Sequence, residues 1–170
     1  MREEDNTAIK SALISQYRAS LMMFRNAINL CSPELWLSGR YPNPTWQMVY
    51  HALFFMDLYL YPHLDDCKSW EGHRKGYQDF ERKDLDPYTK PEVLQFLSYI
   101  DNRLESAVNG IDLNAPECGF YWYKVNKLEH QLVNLKHLQH HLGQLQDRIR
   151  NEQGEGIGWI RDGSGDVRKD

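Results

Sequence analysis

Seven histidines stand in this chain of 170 residues, and four of them, His130, His137, His140 and His141, fall within twelve positions. On a helix, residues four apart project from one face. His137 and His141 are such a pair, so two imidazoles one turn apart could bind one metal ion. The paired histidines of the HExxH motif use the same spacing. The glutamate of that motif is missing, because residue 138 is Leu, so a zincin protease is not supported. A helical wheel places Leu128, Leu132, Leu135, Leu138, Leu142, Leu145 and Ile149 on one broad arc. The two histidines lie just past its edge, and His130, Asn134 and Gln144 share their polar strip. That strip is either a solvated face or the lining of a site at the rim of the fold. His51 bears on the choice: it sits early in an otherwise apolar segment, where a buried imidazole needs partners for both nitrogens. A backbone carbonyl could satisfy it, or it could share an ion with the pair.

The elements that would carry these rings can be read from hydrophobic spacing and end signals. Ile9, Leu13, Tyr17, Leu21, Phe24 and Ile28 follow helical spacing and predict a first helix from about Thr7 to Leu30, capped by Asn6 or Thr7. Cys31-Ser32-Pro33 stops it, and a connection rich in Pro and Gly follows. Asn43 as cap with Pro44 at the first helical position starts a second helix that runs to about Tyr61. Apolar side chains cover nearly all its faces, so it should be central and buried. Residues 62–88 read as irregular, and a connection this long invites a functional reason, such as covering a site. His63 and His73 within it are expected in solvent. Thr89-Lys90-Pro91-Glu92 is a capping box that opens a third helix ending at Gly110. The aromatic run Phe120 to Tyr123 is expected to pack one end of the fold. A fourth helix runs from about Asn126 to Asn151, broken by Gly154 and Gly156. The expectation is an all-α chain, a four-helix bundle over residues 1–153 with a Gly-rich tail over 154–170. The tail is expected to be only partly ordered, and Trp159 and Ile160 could pin its first part to the body.

Composition bounds the function. Hydrophobic residues make up 41% and charged residues 26%, values of a globular chain and not of a disordered or fibrous one. The longest apolar stretch, Met48 to Tyr61, is interrupted by His51 and Asp57 and falls short of the ~18 residues a membrane span needs. Net charge is −4 with no basic stripe, so neither nucleic acid nor a membrane surface is an expected partner. Cys31, Cys67 and Cys118 are odd in number and far apart, which reads as free thiols in a reducing compartment. The polar, acidic start carries no signal-peptide pattern, and a cytoplasmic protein is expected.

Two segments resemble a known family. Trp46-Gln47-Met48-Val49-Tyr50-His51-Ala52-Leu53 with Asp57-Leu58-Tyr59 is similar to the second-helix signature of the DinB/YfiT-like superfamily. His137-Leu138-Gln139-His140-His141-Leu142-Gly143-Gln144-Leu145 is similar to its HxxxHxGQ signature on the last helix. Order and separation match, and the resemblance covers most of residues 7–150. It implies a four-helix bundle, often a homodimer, with a divalent metal held by three histidines. By position these are His51, His137 and His141. Asn134, His140 and Gln144 are then candidates to orient the ligands, with His130, Tyr50 and Trp46 as further pocket candidates. Leu142 stands where many members carry Arg, which removes a charge near the mouth and leaves the ligands intact. Neutral imidazoles suit zinc, nickel or iron(II). Three protein ligands leave a position open for water or a substrate thiolate, as in catalytic zinc sites. The resemblance thus implies a metal-dependent enzyme, a transferase using a low-molecular-weight thiol or a hydrolase. The alternatives are a non-catalytic metal-binding or stress-related dimeric bundle protein, and a metal-free structural bundle.

Overall fold

The computed structural model describes residues 3–166. Among them the elements are helical, with no strand: α1 (Glu3–Leu30), α2 (Pro33–Leu37), α3 (Thr45–Tyr59), α4 (Lys90–Gly110) and α5 (Lys127–Gln153), plus a 3-10 turn at Leu64–Asp66. The four long helices pack in a ring, α1 on α4, α4 on α3, α3 on α5 and α5 on α1. This order places α3 between α4 and α5, and its side chains are buried on most sides, including the fully enclosed Val49, Leu53 and Met56. Enclosing an aliphatic side chain of this kind is worth about 1.5–3 kcal/mol relative to leaving it in water, so α3 anchors the core.

Helix ends follow the local chemistry, with four corrections. Helix α1 spans Glu3–Leu30, so Asn6 and Thr7 lie inside it and not at its N-terminal end. Its opening Glu3-Glu4-Asp5 run favours that earlier start, since acidic residues suit the positive end of a helix dipole. Helix α2 occupies part of the connection read as irregular. Ser32 caps it, accepting the Leu35 N–H at 3.1 Å, and Pro33 follows. Five residues are too few to show periodicity, yet Leu35 and Trp36 are buried and the Trp36 indole donates to the Tyr88 carbonyl at 2.8 Å. Pro44, not Asn43, is the cap residue of α3; the Asn43 Oδ1 accepts instead from Lys83 at 3.1 Å. The same helix ends at Tyr59, two residues before the expected stop.

At the ends of α4 and α5 expectation and structure coincide. Thr89 and Glu92 close the capping box of α4. Asn126 caps α5, accepting from Glu129 N at 2.8 Å, and Gly154 ends it with φ 69°, a left-handed geometry that only glycine takes without penalty. Beyond it Ile160 is buried and Gly163 N donates to Ser15 Oγ at 3.0 Å, tying the tail to α1. Trp159 does not share in this; it is 52% exposed. Residues 167–170 lie outside the described part. No helix among the described residues is long and apolar enough to cross a membrane.

The long connection between α3 and α4 forms a strap across α3, tied down by side chains from below. Gln47 on α3 donates to the carbonyls of Asp79 at 2.9 Å and Arg82 at 3.3 Å. Tyr88 OH accepts from Arg74 N at 2.8 Å and donates to the Gly72 carbonyl at 2.8 Å. Arg74 pairs with Glu92 at 2.6 Å, joining the strap to the first turn of α4. The turn at Gly76 has φ 84°, and a Cβ there would collide with the Arg82 side chain.

Candidate metal centre

His51 on α3 and His137 and His141 on α5 come together, their ligand atoms all lying within 4.8 Å of one another. The Nε2 atoms of His51 and His137 are 3.2 Å apart, and those of His141 and His137 are also 3.2 Å apart. Helix α5 supplies two rings one turn apart, and the close packing of α3 on α5 supplies the third.

The protons of the outer rings are fixed by their neighbours. His51 Nδ1 lies 2.7 Å from the Gln78 carbonyl, which can only accept, so Nδ1 carries the hydrogen and Nε2 the lone pair. His141 Nδ1 lies 2.8 Å from Gln144 Oε1, which sets the same tautomer. Burial holds the rings neutral. His137 is pushed down to about 4, by desolvation first and by the charge of His51 second, and His141 to about 3, by desolvation first and by the charge of His137 second; His51 is also lowered by burial. At neutral pH, two lone pairs therefore point at His137 Nε2 from 3.2 Å on either side. One hydrogen on that atom can serve only one of them. The other contact is nitrogen against nitrogen, which is repulsive unless a cation stands between. Imidazole ligands at 2.0–2.1 Å around a tetrahedral ion lie about 3.3 Å from one another. The donor set and its spacing thus fit a divalent transition metal, with His51, His137 and His141 as the residues that could hold it.

Aromatic rings wall this cluster. Phe80, from the strap, stacks on His51 at 4.0 Å between centroids and meets His141 edge-on at 6.1 Å. Phe55, four residues after His51, meets His51 at 4.8 Å and His137 at 5.6 Å. Among the described residues, no carboxylate belongs to the ligand cluster. Asp79 acts on His51 only through its charge.

The other candidates divide. Gln144 fixes the His141 ring, as above. His140 is exposed and touches the cluster only through its ring, 5.1 Å from that of His141. Asn134 contacts none of the three imidazoles; it is fully buried and its Nδ2 donates to the Met56 carbonyl at 3.2 Å, joining α5 to α3. His130 is also fully buried, in a box made by Tyr59, Phe120 and Tyr123, with neither ring nitrogen bonded to protein. The first half of the polar strip is therefore interior, not solvated, because residues 111–125 fold over it. Trp46 and Tyr50 are buried and face Tyr88 rather than the histidine cluster. His73 departs from its expected place in solvent: its Nδ1 lies 2.6 Å from Tyr50 OH and its ring stacks on Phe54 at 5.4 Å. His63 is exposed, as expected.

Gln78 and Phe80 carried no signal in the sequence. Gln78 acts through its backbone carbonyl, which any residue possesses, and Phe80 sits in an irregular segment whose path periodicity cannot trace. Phe55 was open to detection, since it follows His51 at the spacing of one helical turn. Comparison of the chain with protein-family models, curated proteins and solved structures finds no match.

Proposed function

We propose that this protein binds one divalent transition metal ion, zinc, nickel or iron(II), through His51, His137 and His141, and that it is a metal-dependent enzyme of the transferase or hydrolase type. The observation that carries the reading is the convergence of three neutral imidazole edges at 3.2 Å spacings, with the outer tautomers set by Gln78 and Gln144. The resemblance of the two histidine-bearing segments to the DinB/YfiT-like signatures supports the same ligands and adds the expectation of a thiol cosubstrate. A bound ion would supply Lewis acidity and hold a substrate thiol or carbonyl at an open position. The chain's own residues prepare that position. Gln78 and Gln144 keep the protons on the far nitrogens of His51 and His141, and Phe55 and Phe80 line the near surroundings with apolar faces that exclude water. Such a wall strengthens charge–dipole interactions at the centre.

The test pairs metal analysis with turnover. Purified protein should carry one divalent ion per chain and conjugate low-molecular-weight thiols to an electrophile such as chlorobimane, while His51→Ala loses both. Bound metal with no turnover across thiols and hydrolysable esters would favour a metal-binding protein without catalysis. Equal turnover by wild type and His51→Ala would remove the active centre from this site.

A further inference from the structure

A cavity of about 80 Å³ lies between α3, α4 and the strap, and it is separate from the histidine cluster. Its helical wall is a stripe of α3 that includes Tyr50, Phe54 and Asp57, continued by Tyr61 just past the helix end, and set roughly 100° around the helix from the stripe of His51 and Phe55. None of Phe55, Gln78, Phe80 or Gln144, the neighbours of the three imidazoles, lines it. We propose that this cavity is a second binding site, for a neutral, single-ring aromatic molecule bearing a hydroxyl or ring N–H, of which phenol is the simplest.

Size, walls and charge each narrow the ligand. A buried water occupies about 10–15 Å³ by this measure of volume, so the space holds roughly six waters, or one six-membered ring with a small substituent. The walls are aromatic and held in place. Trp70 stacks on Phe96 at 4.9 Å, Phe96 meets Tyr50 at 5.5 Å, and Tyr50 meets Phe54 at 6.2 Å. Such surfaces favour a flat ring packed edge to face or offset. The polar groups are balanced. Asp57 Oδ1 is paired with the Arg103 guanidinium, which itself lies 4.2 Å over the Tyr61 ring, and burial favours the neutral form of His73. An anionic ring would face Asp57 and a cationic ring would face Lys68, which also lines the cavity, so a neutral one fits. Burial lifts Asp57 to about 6 in spite of Arg103, so its carboxylate sits in a site poor in water. A ligand O–H or N–H could donate to this carboxylate, which lines the cavity. Pockets that are mostly apolar with a few convergent polar groups are the usual form of small-molecule sites.

Cys67 lines the same cavity and is half-buried, whereas Cys31 and Cys118 are each 1% exposed. Alkylation of Cys67 by iodoacetamide, followed by mass spectrometry on the metal-loaded full chain, therefore reports occupancy. Phenol should slow that reaction saturably, with half-effect near about 1 mM. Benzoate and benzylammonium should need about tenfold more. Saturation-transfer NMR of phenol gives a second readout that does not depend on the thiol. Its signal should persist in His51→Ala and vanish in Ser69→Trp, where an indole at the exposed mouth blocks entry. Unsaturable or absent protection would overturn the proposal. So would a phenol signal that survives Ser69→Trp, or charged rings that protect as well as phenol. A signal lost in His51→Ala would move the phenol to the histidine centre and overturn the separate site, while leaving the metal reading intact.

Discussion

Gln144 is the residue whose role the geometry makes most specific after the three candidate ligands. It holds the proton on His141 Nδ1 and so keeps the Nε2 lone pair turned toward His51 and His137. Removing the partner of a ligating imidazole typically lowers metal affinity by about 10–100-fold. Gln144→Ala should show a loss of that size in competition with a chromophoric chelator, and His140→Ala, which alters an exposed ring, should change affinity little. His130 makes a different prediction. Burial, and then the nearby Lys127, push its ring down to about 4 from an ordinary 6.5. A lowered folded-state value means the unfolded chain takes up the proton first. The stability tied to the neutral ring is thus complete above pH 6.5 and is lost as pH falls from 6.5 toward 4, by about 3 kcal/mol. Asp57 acts in the opposite sense, since its raised value favours folding below about pH 4 and costs stability as pH rises toward 6. Comparing His130→Phe with wild type cancels the Asp57 contribution. The variant should be at least as stable at pH 7, because both ring nitrogens lack protein partners, and its denaturant midpoint should fall less on acidification. An identical acid limb in both proteins would refute this. At this scale the three ligand candidates were legible, because one-turn spacing and an isolated histidine in an apolar helix are sequence facts. The inward position of His130 and the Tyr50–His73 contact were not, because each depends on a loop folding back over a helix.

The strap is the element on which the site depends. It carries the Gln78 carbonyl and the Phe80 ring to His51, and Gln47 fastens it to α3 through two backbone acceptors. Gln47→Leu would leave those carbonyls without their donor, at a cost of about 1–3 kcal/mol. Urea unfolding should record that loss, and hydrogen exchange across residues 76–83 should quicken while the long helices stay protected. Unchanged exchange in the strap would show that Gln47 does not hold it. Helices α4 and α5 were legible to within a residue or two, because Thr89 with Glu92, Asn126 and Gly154 are end signals with one physical meaning. Helix α2 and the strap were not. The first is shorter than any period, and the second owes its path to tertiary hydrogen bonds made by Gln47, Arg74 and Tyr88.

For the whole molecule, metal binding and folding should be linked, because the three rings meet only when α3 and α5 are packed together. An ion at a hundred times its dissociation constant adds about 2.7 kcal/mol to the native state, which for a chain of this size raises the melting temperature by roughly 5–10 °C. Chelation of the loaded protein should reverse the rise, and His141→Ala should show no rise at all. The expected all-helical fold is present, and its ring of four long helices follows from four amphipathic or apolar segments that can bury themselves only against one another. The tail was only partly legible: Ile157 packs on the core and Ile160 is enclosed, while Trp159 stays in solvent. A Gly-rich stretch has no period from which to read its inward residues.

The most direct measurement of the central claim is the number of divalent ions retained per chain after equilibrium dialysis against zinc, compared across single alanine variants. Wild type and His130→Ala should each retain one tightly held ion, and each of His51→Ala, His137→Ala and His141→Ala should lose it. Tight binding that survives His51→Ala, or no binding by the wild-type chain, would contradict that claim.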